Sequence, residues 1–215
     1  MPWWMRNCEN LDKAVFPGVG PYDVPQMEPV TLPDAEQIEF IGCNYAKGCQ
    51  APENKGVHFF LEDYQFFRYW TGVELYMPML QKFRCVCTPD FSLYTDFPKA
   101  VQLYNHYRKH WLGAYWQQKG LTVIPSVSWS DESSLAWCFD GDPVGGVVAV
   151  SSVGTQMNPR FRRMFLAGYE RMMAQLSPTM VLFHGDVPPE CRGNIVKIGA
   201  HQAKLRQIAP DTARR

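Results

Sequence analysis

The sequence predicts an α/β fold: a mainly parallel sheet or partial βα barrel behind an irregular, Pro-rich N-terminal leader. Apolar runs of strand length recur along the chain, at Val57 to Leu61, Phe83 to Cys87, Leu121 to Val127, Gly146 to Ser151 and Thr179 to His184. Helically spaced segments separate most of them, and that alternation marks a parallel sheet. Each run also stops in polar residues: Glu62-Asp63, Pro89-Asp90-Phe91-Ser92, Ser128-Trp129-Ser130-Asp131, Ser151-Ser152 and His184-Gly185-Asp186. Parallel strand ends open on one side, where such folds place their ligands. The runs make too few βα units for a full eight-stranded barrel.

Three regions follow in order. Residues 1–55 form the leader, where Pro17, Pro21, Pro25, Pro29 and Pro33 forbid long helices. Its Trp3, Trp4, Val15 and Phe16 give it apolar surface to pack onto the body. Residues 56–189 form the α/β body. Asp63 to Trp70 reads as a short helix, and Val73 to Gln81 as another, broken at Pro78. The clearest helix follows, capped by Thr95 or Asp96, with Pro98 in its first turn and Gly120 at its C-terminal end. Val101, Tyr104, Tyr107, Trp111 and Tyr115 recur in it at helical spacing. Pro125 places the next strand at an edge or a bulge. A short helix starts at Asp131 and ends near Gly141. Asn158-Pro159 opens an amphipathic helix carrying Phe161, Met164, Phe165, Gly168, Met172 and Leu176. Residues 190–215 form a basic tail with Arg192, Lys197, His201, Lys204, Arg206, Arg214 and Arg215.

Composition narrows the class. At 215 residues with 46% apolar and 20% charged, the chain can bury one good core and is not a disordered one. Lys+Arg and Asp+Glu both number 21, so no global basic field draws it to nucleic acid. The odd count of 7 Cys reads as reduced thiols, with Cys85 and Cys87 as small core residues. No secretory signal and no apolar run of membrane-spanning length occurs, so a soluble cytoplasmic protein is expected, with no membrane partner.

The stretches VHFFLEDYQF (57–66), TPDFSLYTDFP (88–98), YNHYRKHWLGAYWQQKGLTVIPSVSW (104–129), CFDG (138–141), VVAVSSVG (147–154) and FLAGYERM (165–172) carry a resemblance. Together, over about residues 56–185, they resemble a bacterial and phage family known as domain of unknown function four-four-one-seven. The resemblance implies a prokaryotic or phage protein of mobile elements; it implies no reaction.

The strand ends supply the candidate chemistry. Asp63, Asp90, Asp96 and Asp131 lie at strand ends or helix starts, and carboxylates converging there would hold Mg²⁺ or Mn²⁺. Asp63 and Asp90 are the metal candidates. Asp96 and Asp131 also read as helix caps. The hydroxyls Ser92, Ser126, Ser128, Ser151 and Ser152 could cradle a phosphate, and His184 could act as a base. Trp129 follows a strand directly and faces either the rim or the core, whereas Trp111 and Trp116 read as core. The expected site therefore has Asp90, Ser92, Asp96 and His184 as catalytic residues and Ser128, Trp129, Asp131 and Ser152 as substrate-binding residues. One reading is metal-assisted hydrolysis of a phosphate-bearing substrate, either a small molecule or nucleic acid. The other is a non-catalytic binding protein of a mobile element, such as a counter-defence inhibitor, that uses its aromatic surface and basic tail.

Overall fold

The computed structural model describes residues 8–199. Trp3, Trp4 and the tail cations from His201 onward lie outside them. A two-stranded antiparallel hairpin, β1 (Gly18–Val19) and β2 (Val24–Pro25), comes first. Seven parallel strands follow in two sheets. The first holds β3 (Glu39–Gly42), β4 (Lys55–His58), β5 (Cys85–Cys87) and β6 (Val123–Ile124), side by side in chain order. The second holds β7 (Val147–Ser151), β8 (Met180–His184) and β9 (Ile195–Ile198), also in order. Ser126 bridges to Ala149 in parallel and joins the two. Strand β3 lies within the stretch read as leader, and β9 within the stretch read as tail.

Pro125 explains why two sheets stand where one might. It has no N–H to continue the ladder past β6. Its carbonyl still accepts from Ala149 N and Val127 N donates to Ala149 O, both at 2.8 Å, while Ser126 N faces β5 and donates to Thr88 Oγ1, also at 2.8 Å. The ladder is thereby reduced to a single bridge.

The strands curl. Phe40, Cys85, Cys87, Ile124, Val147, Ala149, Leu182, Val196 and Ile198 form one buried cluster, although β3 and β9 are opposite edges. A flat sheet could not bring its edges together. Gly56 faces this interior because a Cβ there would lie 2.4 Å from the Phe40 ring. Alternate residues of the same strands face outward, as period-two alternation requires. Val57, Val86 and Val123 pack outward against α1 (Asp63–Thr71), α2 (Val73–Leu80) and α3 (Lys99–Gln118). Val148, Val150, Val181 and Phe183 pack against α4 (Pro159–Leu176). The result is a partial barrel wrapped by helices. Among the described residues no ladder closes β3 onto β9, and a polar crevice lined by Glu36 to Phe40 and Lys197 to Gly199 separates them.

Several local expectations are corrected. Helix α2 runs through Pro78 unbroken, held by its buried Val73, Met77 and Leu80. Helix α3 starts at Lys99 behind Pro98, so Thr95 and Asp96 are not its caps. They belong to a turn that Gln102 Nε2 secures by donating to the Tyr94 and Phe97 carbonyls, both at 3.0 Å. The helix expected from Asp131 to about Gly141 is a short 3-10 turn, Glu132–Ala136. Other caps form as the sequence predicts. Asp131 accepts from Ser133 N, and Asn158 from Arg160 N. Gly120, at φ +86°, closes α3, with Leu121 N donating to Trp116 O at 3.0 Å.

Helix α3 is buried on nearly every side because β2 packs on the side away from the sheet. A fully buried pair seals that contact: His110 Nε2 lies 2.9 Å from Asp142 Oδ1, and His110 Nδ1 donates to His106 O at 2.9 Å. Gly141 beside it requires its φ of +84°, and a Cβ there would lie 2.6 Å from Pro25 O. No helix among the described residues is long and apolar enough to cross a membrane.

Candidate functional site

A cleft of about 450 Å³ opens at the C-terminal ends of β5, β6 and β7. Its floor begins with paired strand ends. Ser126 Oγ donates to Thr88 O at 2.7 Å, which fixes the segment Thr88-Pro89-Asp90 against the segment Ser126-Val127-Ser128. Lys109 comes up from α3, 1% exposed, and donates to Ser126 O at 2.8 Å and to Ser128 Oγ at 3.4 Å. Asp90 stands beside this pair. Its Oδ1 is shut off from solvent and has no hydrogen-bond partner. Burial pushes its carboxyl from 3.8 up to about 6, outweighing the Lys109 ammonium and the Ser128 hydroxyl, which pull it down; nearby Asp63 adds to the rise.

The walls come from three segments. The loop after β5 contributes Leu93, Tyr94, Thr95 and Asp96; the loop after β7 contributes Val153, Gly154 and Thr155; α4 contributes Phe161, Met164 and Phe165. Trp129 lies at the back, its ring 5.4 Å from Phe165 and 6.2 Å from Phe139. It sits flat on α4 because residue 168 is glycine: a Cβ there would lie 2.1 Å from Trp129 Nε1. Trp129 thus packs on the core and still lines the cleft, whereas Trp111 and Trp116 are wholly core.

Of the residues expected in the site, Asp90, Asp96, Ser128 and Trp129 line this cleft. The others are engaged elsewhere. Both oxygens of Asp63 accept from Ser92, from its N–H at 3.2 and 3.3 Å and from its hydroxyl at 2.8 Å. Asp131 caps its 3-10 turn and pairs with Lys99 at 2.9 Å, which holds its carboxyl below the usual range. Ser152 is buried and donates to Asp186 O at 2.6 Å. His184 faces the barrel interior, its ring 5.0 Å from those of His58 and Phe60. Burial pushes it down to about 4 and His58 to about 3, so both are neutral at pH 7. His184 Nδ1 reaches the cleft only through Ser151, whose Oγ lies 3.2 Å away.

Among the described residues no three His, Cys, Asp or Glu side chains gather to hold a metal ion. With Asp63 satisfied by Ser92, the donors present do not fit the Mg²⁺ or Mn²⁺ site expected at Asp63 and Asp90. Sequence reasoning named Tyr94 among the rings that could stack a ligand but passed over Lys109, Ser130 and the Phe161 wall. Lys109 shares a helical face with the buried Asn105, Leu112 and Trp116, and that spacing was the available signal.

Conserved order of motifs is not needed to place the chain: the family profile described as "Domain of unknown function (DUF4417)" matches residues 16–202. The chain belongs to this family. It is 34% identical over 173 residues to the "Gene 1 protein" of Mycobacterium phage D29, covering 80% of this chain and 64% of that protein. It is 33% identical over 175 residues to the "Gene 1 protein" of Mycobacterium phage L5, covering 81% of this chain and 76% of that one. The DUF4417 chain thus spans less than two thirds of the D29 protein. No solved structure matches it.

Proposed function

We propose that this cleft is the active site of an enzyme acting on a phosphate-bearing substrate, with Asp90 as its general acid–base. The observation that carries the reading is the Asp90 carboxyl: half-buried, with Oδ1 closed to solvent and unpartnered, beside a cleft of ligand size and raised to about 6. A group poised near neutral pH can both take and return a proton, which an ordinary surface aspartate cannot do efficiently. The Ser128 hydroxyl and the buried Lys109 ammonium stand beside it, and Ser151 supplies a hydroxyl on the same lining.

The first turn of α4 supports the phosphate. Arg160, Arg162 and Arg163 stand at the end of a helix that already carries a partial positive charge, an arrangement unfavourable unless an anion comes. Arg162 pairs with Glu190 at 2.7 Å; among the described residues Arg160 and Arg163 have no ion pair.

Hydrolysis of bis(p-nitrophenyl) phosphate, p-nitrophenyl phosphate and single-stranded DNA tests the proposal, on wild type and Asp90→Asn, with EDTA, Mg²⁺ and Mn²⁺ in parallel. The expected result is turnover that falls on the order of a hundredfold or more in a folded Asp90→Asn protein. Equal turnover in the two proteins, or an Asp90→Asn chain that cannot fold, overturns the assignment.

A further inference from the structure

We infer that the cleft takes the base of a nucleotide, held between rings at its mouth and read at its floor by Ser130 and Asp90. This rests on the cleft being the substrate site and names the class of substrate.

Two residues that line the cleft each keep an oxygen closed to solvent and without a partner: Ser130 Oγ, on a residue 5% exposed, and Asp90 Oδ1. Buried polar atoms are nearly always satisfied, so a pair left open on one cavity calls for a ligand that completes both. Nothing in the fold uses the Ser130 hydroxyl. Its backbone N–H is satisfied separately, donating to Ser134 Oγ at 2.9 Å. A hydroxyl can donate or accept, and a carboxyl near its midpoint can do either as well. Such a pair matches the mixed donor and acceptor edge of a nucleobase better than an acceptor-only or donor-only group.

The mouth provides for the faces. Tyr94 is 54% exposed and Phe161 39% exposed, both lining the cleft and carried by different segments. Large rings left in water at a cavity entrance are available for stacking, and every base has a π-face. The cleft volume of about 450 Å³ suits a mononucleotide and is too small for a duplex. Arg160 precedes Phe161 in the exposed first turn of α4, within one residue of the cleft lining.

Calorimetric titration of the full chain with AMP, GMP, CMP and UMP, against ribose 5-phosphate and inorganic phosphate, tests the inference. At least one nucleotide is expected to bind about tenfold or more tighter than ribose 5-phosphate. Ser130→Ala and Phe161→Ala should each weaken that nucleotide by about tenfold, while the Ser130→Ala melting temperature does not fall, because the lost hydroxyl had no partner. Ribose 5-phosphate binding as tightly as every nucleotide, no nucleotide binding at millimolar concentration, or a Ser130→Ala protein with unchanged affinity each overturns it. Phosphate-ester turnover that depends on Asp90 without nucleotide binding removes this inference alone. Nucleotide binding by a chain that shows no turnover removes only the catalytic reading.

Discussion

Replacing Asp90 by asparagine should change how stability depends on pH, and the direction follows from the site. The folded protein holds the Asp90 proton more tightly than the unfolded chain does, because burial disfavours the carboxylate. Its contribution to stability is therefore complete below about 3.8, the unfolded value, and is lost as pH rises toward about 6. At about 1.4 kcal/mol for each pH unit, the rise from 3.8 to about 6 makes ~3 kcal/mol by pH 7. Asparagine keeps the shape and cannot ionise. The attraction of Lys109 for the carboxylate is already contained in the net rise of Asp90, so the slope of the difference carries the test. Urea unfolding followed by tryptophan fluorescence, at steps between about pH 3.5 and 7, gives the variant-minus-wild-type difference. That difference should climb by ~3 kcal/mol, or roughly 6–12 °C in melting temperature. A flat difference across the range, or a climb completed by about pH 4.5, would mean that Asp90 titrates as an ordinary surface acid, and the reasoning about the cleft floor would fail with it.

Other substitutions test the frame around the site. Gly168→Ala puts a Cβ against Trp129 Nε1 and should cost about 1–3 kcal/mol while displacing the cleft's back wall; an unchanged melting temperature would refute the packing. His110→Ala strands the fully buried Asp142 carboxyl and should cost about 3–5 kcal/mol, measured by chemical unfolding at pH 7. Much of that loss should return when Asp142 is also made apolar, and a double variant no better than the single one would argue against the pair. Lys99→Ala removes only an exposed ion pair with Asp131 and should cost less than about 1 kcal/mol; a larger loss would assign Lys99 a role the structure does not show.

The sequence exposes the parts of this fold whose signals are local. The apolar runs before Asp63, Asp90, Ser128, Ser152 and Gly185 could be read as strands because buried parallel strands are nearly continuous in hydrophobic residues. Strand β3 escaped notice because Glu39-Phe40-Ile41-Gly42 is short, ends in glycine and follows a Pro-rich stretch full of turn signals. Strand β9 escaped because Ile195-Val196-Lys197-Ile198 alternates within a basic segment, so its charge drew attention away from its period. The site was legible as a list of strand ends and not as a constellation. Ser92 lies 29 positions from Asp63, and only the folded chain shows that each satisfies the other. Ser130 carries its information in what it lacks, a hydrogen-bond partner, and no spacing in a sequence reports that.

The cleft opens where the two sheets part. In open α/β sheets a ligand crevice forms where strand order reverses and neighbouring connections diverge. Here the strands run in chain order without reversal, so that geometric source is missing. The divergence arises past the Ser126 and Ala149 bridge instead. The two sheets touch through the Ser126 and Ala149 bridge, where Ala149 N donates to Pro125 O and Val127 N to Ala149 O, both at 2.8 Å, and no further. Beyond the bridge nothing holds the two chains together, and they part into Val127-Ser128-Trp129 on one side and Val150-Ser151 on the other. Those residues line the cleft, with Asp90 brought in on the neighbouring strand end. The parting of the two sheets thus sets the position of the cleft.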